Sequence, residues 1–327
     1  MAGSRSLVNV RTAPASTVPL TDTAARRLEG ESATAPGGAD VAAGAVRSRV
    51  QPHPRGRPRG GSRGAPRQQE GLTAAIVESG PEVIIHELTA IPGSLNLRKL
   101  DEAFAPTNRL RTEVTDTQLA AARRAGTRRF IAQSFGGWPY AREGRPVKTE
   151  EDRLDPSPPA AFRETLGAIR YLEDVLDGAA DLEALALRYG FFYGPGTSIA
   201  QDGAIVEALR RRRLPIVGDG GGIWSFVHID DAARATVAAI SRGDPGIYNV
   251  ADDEPAPVSA WLPALARAVG ARRPFRIPVW LGRRALGEGG VSTMTQNRGA
   301  SNAKAKRELG WEPAYASWRR GFAEGLG

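Results

Sequence analysis

Three short stretches hold the side chains best placed to do chemistry. They are HELTA at 86–90, QSFGGWPY at 133–140 and LRYGFFYGPG at 187–196. Other chemistries are excluded by residue type. The 327-residue chain has no cysteine, which removes disulfides, zinc–thiolate sites and thiol nucleophiles. Its three histidines, His53, His86 and His228, are too scattered to suggest a metal cluster. It has four lysines, Lys99, Lys148, Lys304 and Lys306, and none follows a tyrosine by one helical turn. The residues four places before them are Leu95, Gly144, Ala300 and Asn302.

The elements around these stretches give them their meaning. Val83-Ile84-Ile85 is a continuous apolar run, as expected of a strand covered on both faces. Arg129–Ser134 and Leu185–Tyr189 read as two more strands. Thr115–Ala125 reads as a helix closed by Gly126. From Ala160 to Leu176, Phe162, Leu166, Ile169, Leu172 and Leu176 form one helical stripe. This alternation predicts an α/β fold, a Rossmann-like doubly wound parallel sheet with helices on both faces. Ligands of such sheets bind beyond the carboxyl ends of the strands, so the residues after Ile85, Gln133 and Arg188 should line a cleft. After Gly194 the rhythm turns irregular, which predicts a small mixed α/β C-terminal lobe.

The stretches at 86–90, 133–140 and 187–196, with GDGGGIWSFVHIDDAARA and NAKAKRELGWEP, resemble the extended short-chain dehydrogenases. The likeness is to the NAD-dependent epimerase/dehydratase branch, over about Gly71 to Phe322. The resemblance implies hydride exchange with NAD or NADP. It implies that Ser134 polarises the reacting oxygen, and that His86, Leu88, Thr89, Asn108, Ser134, Tyr189 and Tyr193 line the cofactor. Substrate-side positions would be Phe191, Trp224, His228 and Arg298. Each residue also has a plainer reading: Ser134 as a helix cap, Gly194-Pro195-Gly196 as a turn, His228 as a structural histidine, and Asp230-Asp231 as a helix opening.

Two departures from the family stand out. Its tyrosine–lysine pair is missing, and AAFRETLGAIRYLE stands where that pair should lie, with Phe162 and Arg163. Tyr140 is then the nearest phenol for acid/base work, and Arg163 or Arg142 the nearest cation. Phe191 stands where the family has a substrate-binding asparagine, and Trp138 and Trp224 make the pocket more apolar. The second departure is the N-terminal glycine motif. Residues 1–70 contain no Phe, Trp, Tyr or Ile, and hold eleven Arg against five acids, so six of the eight net positive charges lie there. Such text cannot bury enough surface to offset its ordering entropy. It is expected to be a low-complexity leader, disordered or translated out of frame, leaving the first strands of the sheet absent.

The domain expectation is therefore a leader at 1–70, a dinucleotide-binding domain at 71–195 with returning segments near 214–250, and a mainly substrate-binding lobe at 196–327. The expected function is that of an NAD(P)-dependent epimerase/dehydratase-like oxidoreductase on a sugar nucleotide or other small hydroxylated substrate. The alternative is a non-catalytic dinucleotide-fold sensor that has lost the catalytic pair. The expected partner is a small molecule, with no specific nucleic acid, no membrane and no metal. A homodimer through the helices near Thr115 and Phe162 stays open, and the expected location is cytoplasmic.

Overall fold

The computed structural model describes residues 6–9, 44–46, 64–92 and 96–327. Its centre is a six-stranded, wholly parallel sheet. In chain order the strands are β1 (Ser6–Asn9), β2 (Gly44–Val46), β3 (Val83–His86), β4 (Arg129–Phe135), β5 (Glu183–Tyr189) and β6 (Gly246–Val250). Their spatial order is β6-β5-β4-β3-β1-β2. The flanking helices are α1 (Gly64–Ser79), α2 (Leu100–Arg109), α3 (Thr115–Ala125), α4 (Arg163–Asp177) and, after a lobe segment, α5 (Ile229–Ala239).

Strand alternation explains why both faces are covered. Ile84, Phe130, Ala132, Ala184 and Ala186 pack beneath α1, α3 and α4 with Ile76, Leu119, Leu172 and Leu176. Val83, Ile85, Ile131, Leu185 and Leu187 point the other way, against Ala232, Ala235 and Ala239 of α5. Successive side chains of a strand face opposite sides, so a run apolar at every position is what two helical layers require. Gly126 ends α3 at φ 70°, a left-handed cap that suits glycine.

Two expectations are corrected. The sheet does not lack its first strands: β1 and β2 come from the stretch read as a leader. β1 pairs with β3 through Leu7↔Val83, Val8↔Ile84 and Asn9↔Ile85, and with β2 through Ser6↔Gly44, Leu7↔Ala45 and Val8↔Val46. Three- or four-residue strands amid arginine and glycine give no periodic pattern; β1 pairs with the backbone edge of β3, and β2 with the edge that β1 then presents. The leader boundary at 70 also moves back, since helix α1 starts at Gly64. The rest of the leader lies outside the described residues.

The C-terminal lobe has its own core around Trp224, Phe226, Trp261, Leu262, Trp318 and Phe322. The long helix Val279–Thr295, broken at Gly287 (φ 75°), was illegible because its GEGG run reads as a loop. Gly289 in it lies against the Phe162 ring, where an added Cβ would come within 2.4 Å of a ring carbon. Glycine here permits close packing between lobe and sheet domain. Among the described residues, no helix is long and apolar enough to cross a membrane.

Candidate active site

The strand order reverses between β1 and β3, which sets the ligand crevice beyond their carboxyl ends. The residues after β1, 10–43, lie outside the described residues, so the described half of the crevice begins at His86. His86 is buried, and its Nε2–H donates to the Leu110 carbonyl at 3.2 Å while Nδ1 has no partner. Burial lowers its pKa to about 4, so the ring is neutral near pH 7. Glu87 follows, half-buried; the Tyr189 and Thr236 hydroxyls donate to its Oε1 at 3.0 and 3.2 Å, and Oε2 has no partner. Burial pushes this carboxyl up to about 7 against those hydrogen bonds. Leu88 is buried and Thr89 half-buried beside them. Asn108 donates Nδ2–H to Thr165 Oγ1 at 3.2 Å, and its Oδ1 is buried without a partner. These orphan atoms are suited to a polar ligand such as the sugar and amide of a dinucleotide.

Ser134 and Tyr140 are brought together, but beneath the sheet. In register, Ser134 of β4 faces Arg188 of β5, which faces Asn249 of β6, so three polar residues form a row across adjacent strands. All three point toward α4, whose Glu173 closes the row. Ser134 Oγ–H donates to Glu173 Oε1 at 2.6 Å, and Arg188 donates to both carboxylate oxygens at 2.7 and 2.6 Å. Arg188 Nη1 reaches the Tyr140 hydroxyl at 3.0 Å, which itself donates to Asn249 Oδ1 at 2.5 Å. Burial pushes the Tyr140 phenol up to about 12, against the pull of Arg188. Tyr140 is 1% exposed, so its contacts make it an interior link rather than the cleft-facing acid expected of it. Arg163 is exposed, and Arg142 is paired with Asp155 at 2.9 Å, so neither replaces the missing lysine.

A further buried cation is Arg111, which carries no signal of its own in the sequence. It sits on a π-helical turn, Leu110–Val114, with its guanidinium carbon 6.0 Å from the Phe104 ring centroid and Nη1 unpartnered. Burial lowers its pKa to about 10, with the Glu173 charge acting the other way. Glu173 was also missed, although an acid one helical turn after Ile169 on an apolar stripe is a legible signal. Glu87 lies within HELTA, where an acid directly after an apolar strand is its only sequence signal.

The aromatic residues form a wall. Phe162 meets Trp138 at 4.6 Å between centroids, Trp138 meets Phe135 at 6.0 Å, and Phe135 meets Phe191 at 5.4 Å. Phe191 then stacks on Trp224 at 3.8 Å. Trp224 Nε1–H donates to the Thr293 carbonyl, tying the wall to the lobe. At one end is a shallow recess of about 10 Å³, room for one water, lined by Trp138, Arg142, Asp155, Phe162, Thr293 and Asn297.

The other expected site residues fall elsewhere. Tyr189 is fully buried at Glu87 and Thr236. Tyr193 is buried among Phe226, His228 and Phe322, with its hydroxyl unpartnered. His228 caps α5 by accepting from the Asp230 N–H, and its other nitrogen meets the Gly325 carbonyl, which is the structural reading. Asp231 accepts from the Ala314 and Tyr315 N–H groups and its carbonyl from Trp311, tying the C-terminal segment to α5. Arg298 is half-buried with Nε unpartnered. Among the described residues no group of His, Cys, Asp and Glu is placed to hold a metal.

Comparison with known proteins places this geometry. The family model described as "NAD dependent epimerase/dehydratase family" matches residues 33–251, beginning inside the stretch read as a leader. A 3-diazoavenalumate denitrifying reductase from Streptomyces sp is 42% identical over 257 residues, 78% of this chain and 83% of that protein. A UDP-glucose 4-epimerase from Mycolicibacterium smegmatis is 29% identical over 78% of this chain and 77% of its own length. Among solved structures, the human epimerase family protein SDR39U1 with NADPH shares the fold at TM-score 0.68 and 14% identity, covering 98% of this chain and 99% of that one. The Thermotoga maritima UDP-glucose 4-epimerase does so at TM-score 0.61 and 21% identity, over 79% of this chain and 80% of that one. With its parallel sheet, its crevice at the β1/β3 reversal and a family match over most of its length, the chain belongs to the NAD-dependent epimerase/dehydratase family.

Proposed function

We propose that the protein is a nicotinamide-dependent reductase that removes the diazo group from an aromatic carboxylate. One observation carries this reading: the side chains expected to move a proton at the strand ends are committed elsewhere. Ser134 and Tyr140 are bound into the Glu173–Arg188 network. Lys99 pairs with Glu102, Lys148 with Asp152 and Lys306 with Asp253, and Lys304 donates to the Ile247 carbonyl, so no lysine serves the cleft. Reduction of a carbonyl, or epimerisation of a sugar carbon through a ketone, needs proton transfer at oxygen as well as hydride. A diazonium group does not. The bound dinucleotide would supply the hydride, and Ar–N2+ plus hydride balances as Ar–H plus N2, with the C–N bond broken and the cofactor oxidised by two electrons.

The Streptomyces relative supports this direction, since its name joins a diazo carboxylate to a denitrifying reduction. The aromatic wall suits a planar ring better than a hydroxyl-rich sugar. On the described side of the crevice, His86 Nδ1, Glu87 Oε2 and Asn108 Oδ1 are the atoms that would hold the cofactor. Arg111, held at the same end of the sheet, would supply positive charge in place of the family's lysine; it orients and attracts, since a guanidinium does not shuttle protons.

The test uses the purified full chain with NADH or NADPH and freshly diazotised 3-aminocinnamate. The expected result is enzyme-dependent cofactor oxidation, matched one to one by cinnamate and dinitrogen. Interconversion of UDP-glucose and UDP-galactose without diazo reduction would instead assign a sugar-nucleotide epimerase. Saturable NADPH binding with neither reaction would leave a non-catalytic dinucleotide-fold sensor.

A further inference from the structure

Two basic segments of the C-terminal lobe lie outside the crevice and the buried row. Residues 210–213 are four arginines in succession, and residues 272–284 hold five more, with no acid and no lysine in either segment. The fold brings the two together. The strand Arg276–Ile277 pairs in parallel with Ile216–Val217, which follows the first segment after Leu214 and Pro215. The Arg212 guanidinium carbon lies 5.7 Å from the Phe275 ring centroid, and Arg212 holds a left-handed backbone at φ 56°, uncommon outside glycine. Behind this surface Ile216, Val217 and Ile277 are buried in the lobe core. A Cβ added at Gly282 would come within 2.6 Å of Val217, so the helix Val279–Thr295 is pressed close onto the strand.

The outward side of the same elements is apolar and charged at once. Alternation along the strand exposes Arg276 while Ile277 is buried. Trp280 shares one helix face with Arg283 and Arg284, three and four residues on, and all three are exposed. Trp280 is 68% exposed and Phe275 40%, whereas the other five tryptophans are buried or half-buried. An indole left in water forgoes the apolar burial that the fold gives the others. Most of the charge is unopposed. Glu207 takes Arg211 and Glu288 takes Arg283, and Arg276 donates to the Gly218 and Asp219 main-chain carbonyls. Arg213, Arg272 and Arg273 have no hydrogen bond or ion pair among the described residues.

We propose that this surface is a peripheral docking site for an anionic phospholipid membrane, with Trp280 and Phe275 at headgroup level and the arginines on lipid phosphates. Charge complementarity selects an anionic partner. The make-up of the patch selects a fluid one. An arginine without a partner loses side-chain entropy when it is fixed on a rigid protein face, but it follows mobile headgroups at less cost. Two exposed rings are too little apolar area for the core of a stable protein interface. They suffice at the membrane–water boundary, where tryptophan is enriched and where arginine stems lie against the apolar side with their charges in water. No helix among the described residues is long and apolar enough to cross a membrane, and a surface contact needs none. The site departs from the expectation of no membrane partner, and it is independent of the reaction at the crevice.

The experiment is co-sedimentation of the full chain with vesicles of phosphatidylcholine, alone or mixed equally with phosphatidylglycerol, read together with tryptophan emission. Wild type should bind the anionic vesicles and not the neutral ones, and lose most of that binding between about 0.05 and 0.5 M salt. Its emission should shift to the blue as Trp280 leaves water. Arg272→Gln/Arg273→Gln should weaken binding about thirtyfold, about fivefold for each arginine. Trp280→Ser should weaken it about tenfold and abolish the shift. Arg109→Gln/Arg124→Gln removes the same charge from the sheet domain and should stay within about twofold of wild type, which separates the patch from net charge. All of these side chains are exposed, so the variants should melt with wild type and loss of fold does not imitate the effect. Equal binding to neutral vesicles, or an unshifted emission, overturns the proposal. So does binding that the patch variants leave unchanged, which would assign it to the eleven arginines of residues 1–70. No binding to anionic vesicles at low salt overturns it as well, and leaves the patch to an acidic protein.

Discussion

Glu173→Gln tests the buried row most directly. Glu173 and Arg188 have side chains 5% and 4% exposed, and the carboxylate accepts three hydrogen bonds, two from the guanidinium and one from Ser134. Glutamine keeps the shape but removes the charge, and its amide presents N–H groups to a guanidinium that has only N–H groups to offer. Stripping a buried ion pair of one partner costs about 3–5 kcal/mol, because the other charge remains desolvated. In a chain of this size that lowers the melting temperature by roughly 4–7 °C. Urea titration and thermal melting of the full chain should agree on the loss. The double variant Glu173→Leu/Arg188→Met removes both charges and should recover most of it, since well-packed apolar replacements of buried pairs are often neutral. Glu102→Gln, at the exposed Lys99–Glu102 pair, should cost a small fraction of that. If Glu173→Gln costs less than about 1 kcal/mol, the pair is solvated in the native protein and the argument from burial fails.

Other outcomes follow from the same geometry. Tyr140→Phe removes the hydroxyl between Arg188 and Asn249, and should cost about 1–3 kcal/mol while leaving diazo reduction within a few-fold; abolished turnover at unchanged stability would restore Tyr140 as the acid. Glu87 has a folded pKa raised from 4.5 to about 7, so the folded state binds the extra proton and its stability falls as pH rises through that window. Glu87→Gln should flatten that slope and melt higher than wild type above pH 7, matching it at low pH; a parallel pair of melting curves would refute it. Gly289→Ala drives a methyl into the Phe162 ring, and should cost about 1–3 kcal/mol in urea titration; an unchanged midpoint would refute it.

Much of the fold was legible because it is local. Thr115–Ala125 with Gly126, the stripe of α4 and the apolar runs of β3, β4 and β5 all declare themselves within a few residues. So did the missing tyrosine–lysine pair, since the sequence shows every lysine and what stands one turn before it. The site was less legible. Whether Ser134 faces ligand or interior depends on its register with Arg188 and on Glu173 descending from α4, a contact made across 39 residues of chain. The sequence shows a serine and a tyrosine six residues apart; only the sheet shows that both are drawn into one buried charge network. Arg111 looks like a surface residue in its own segment, and it is the π-turn and the surrounding helices that bury it. Strands β1 and β2 lie at the limit of this rule: a few residues with no pattern of their own are strands because β3 offers an edge to β1, and β1 offers one to β2. Sequence determines what each segment can form alone. Packing decides which polar groups keep a partner, and so which remain to meet a ligand.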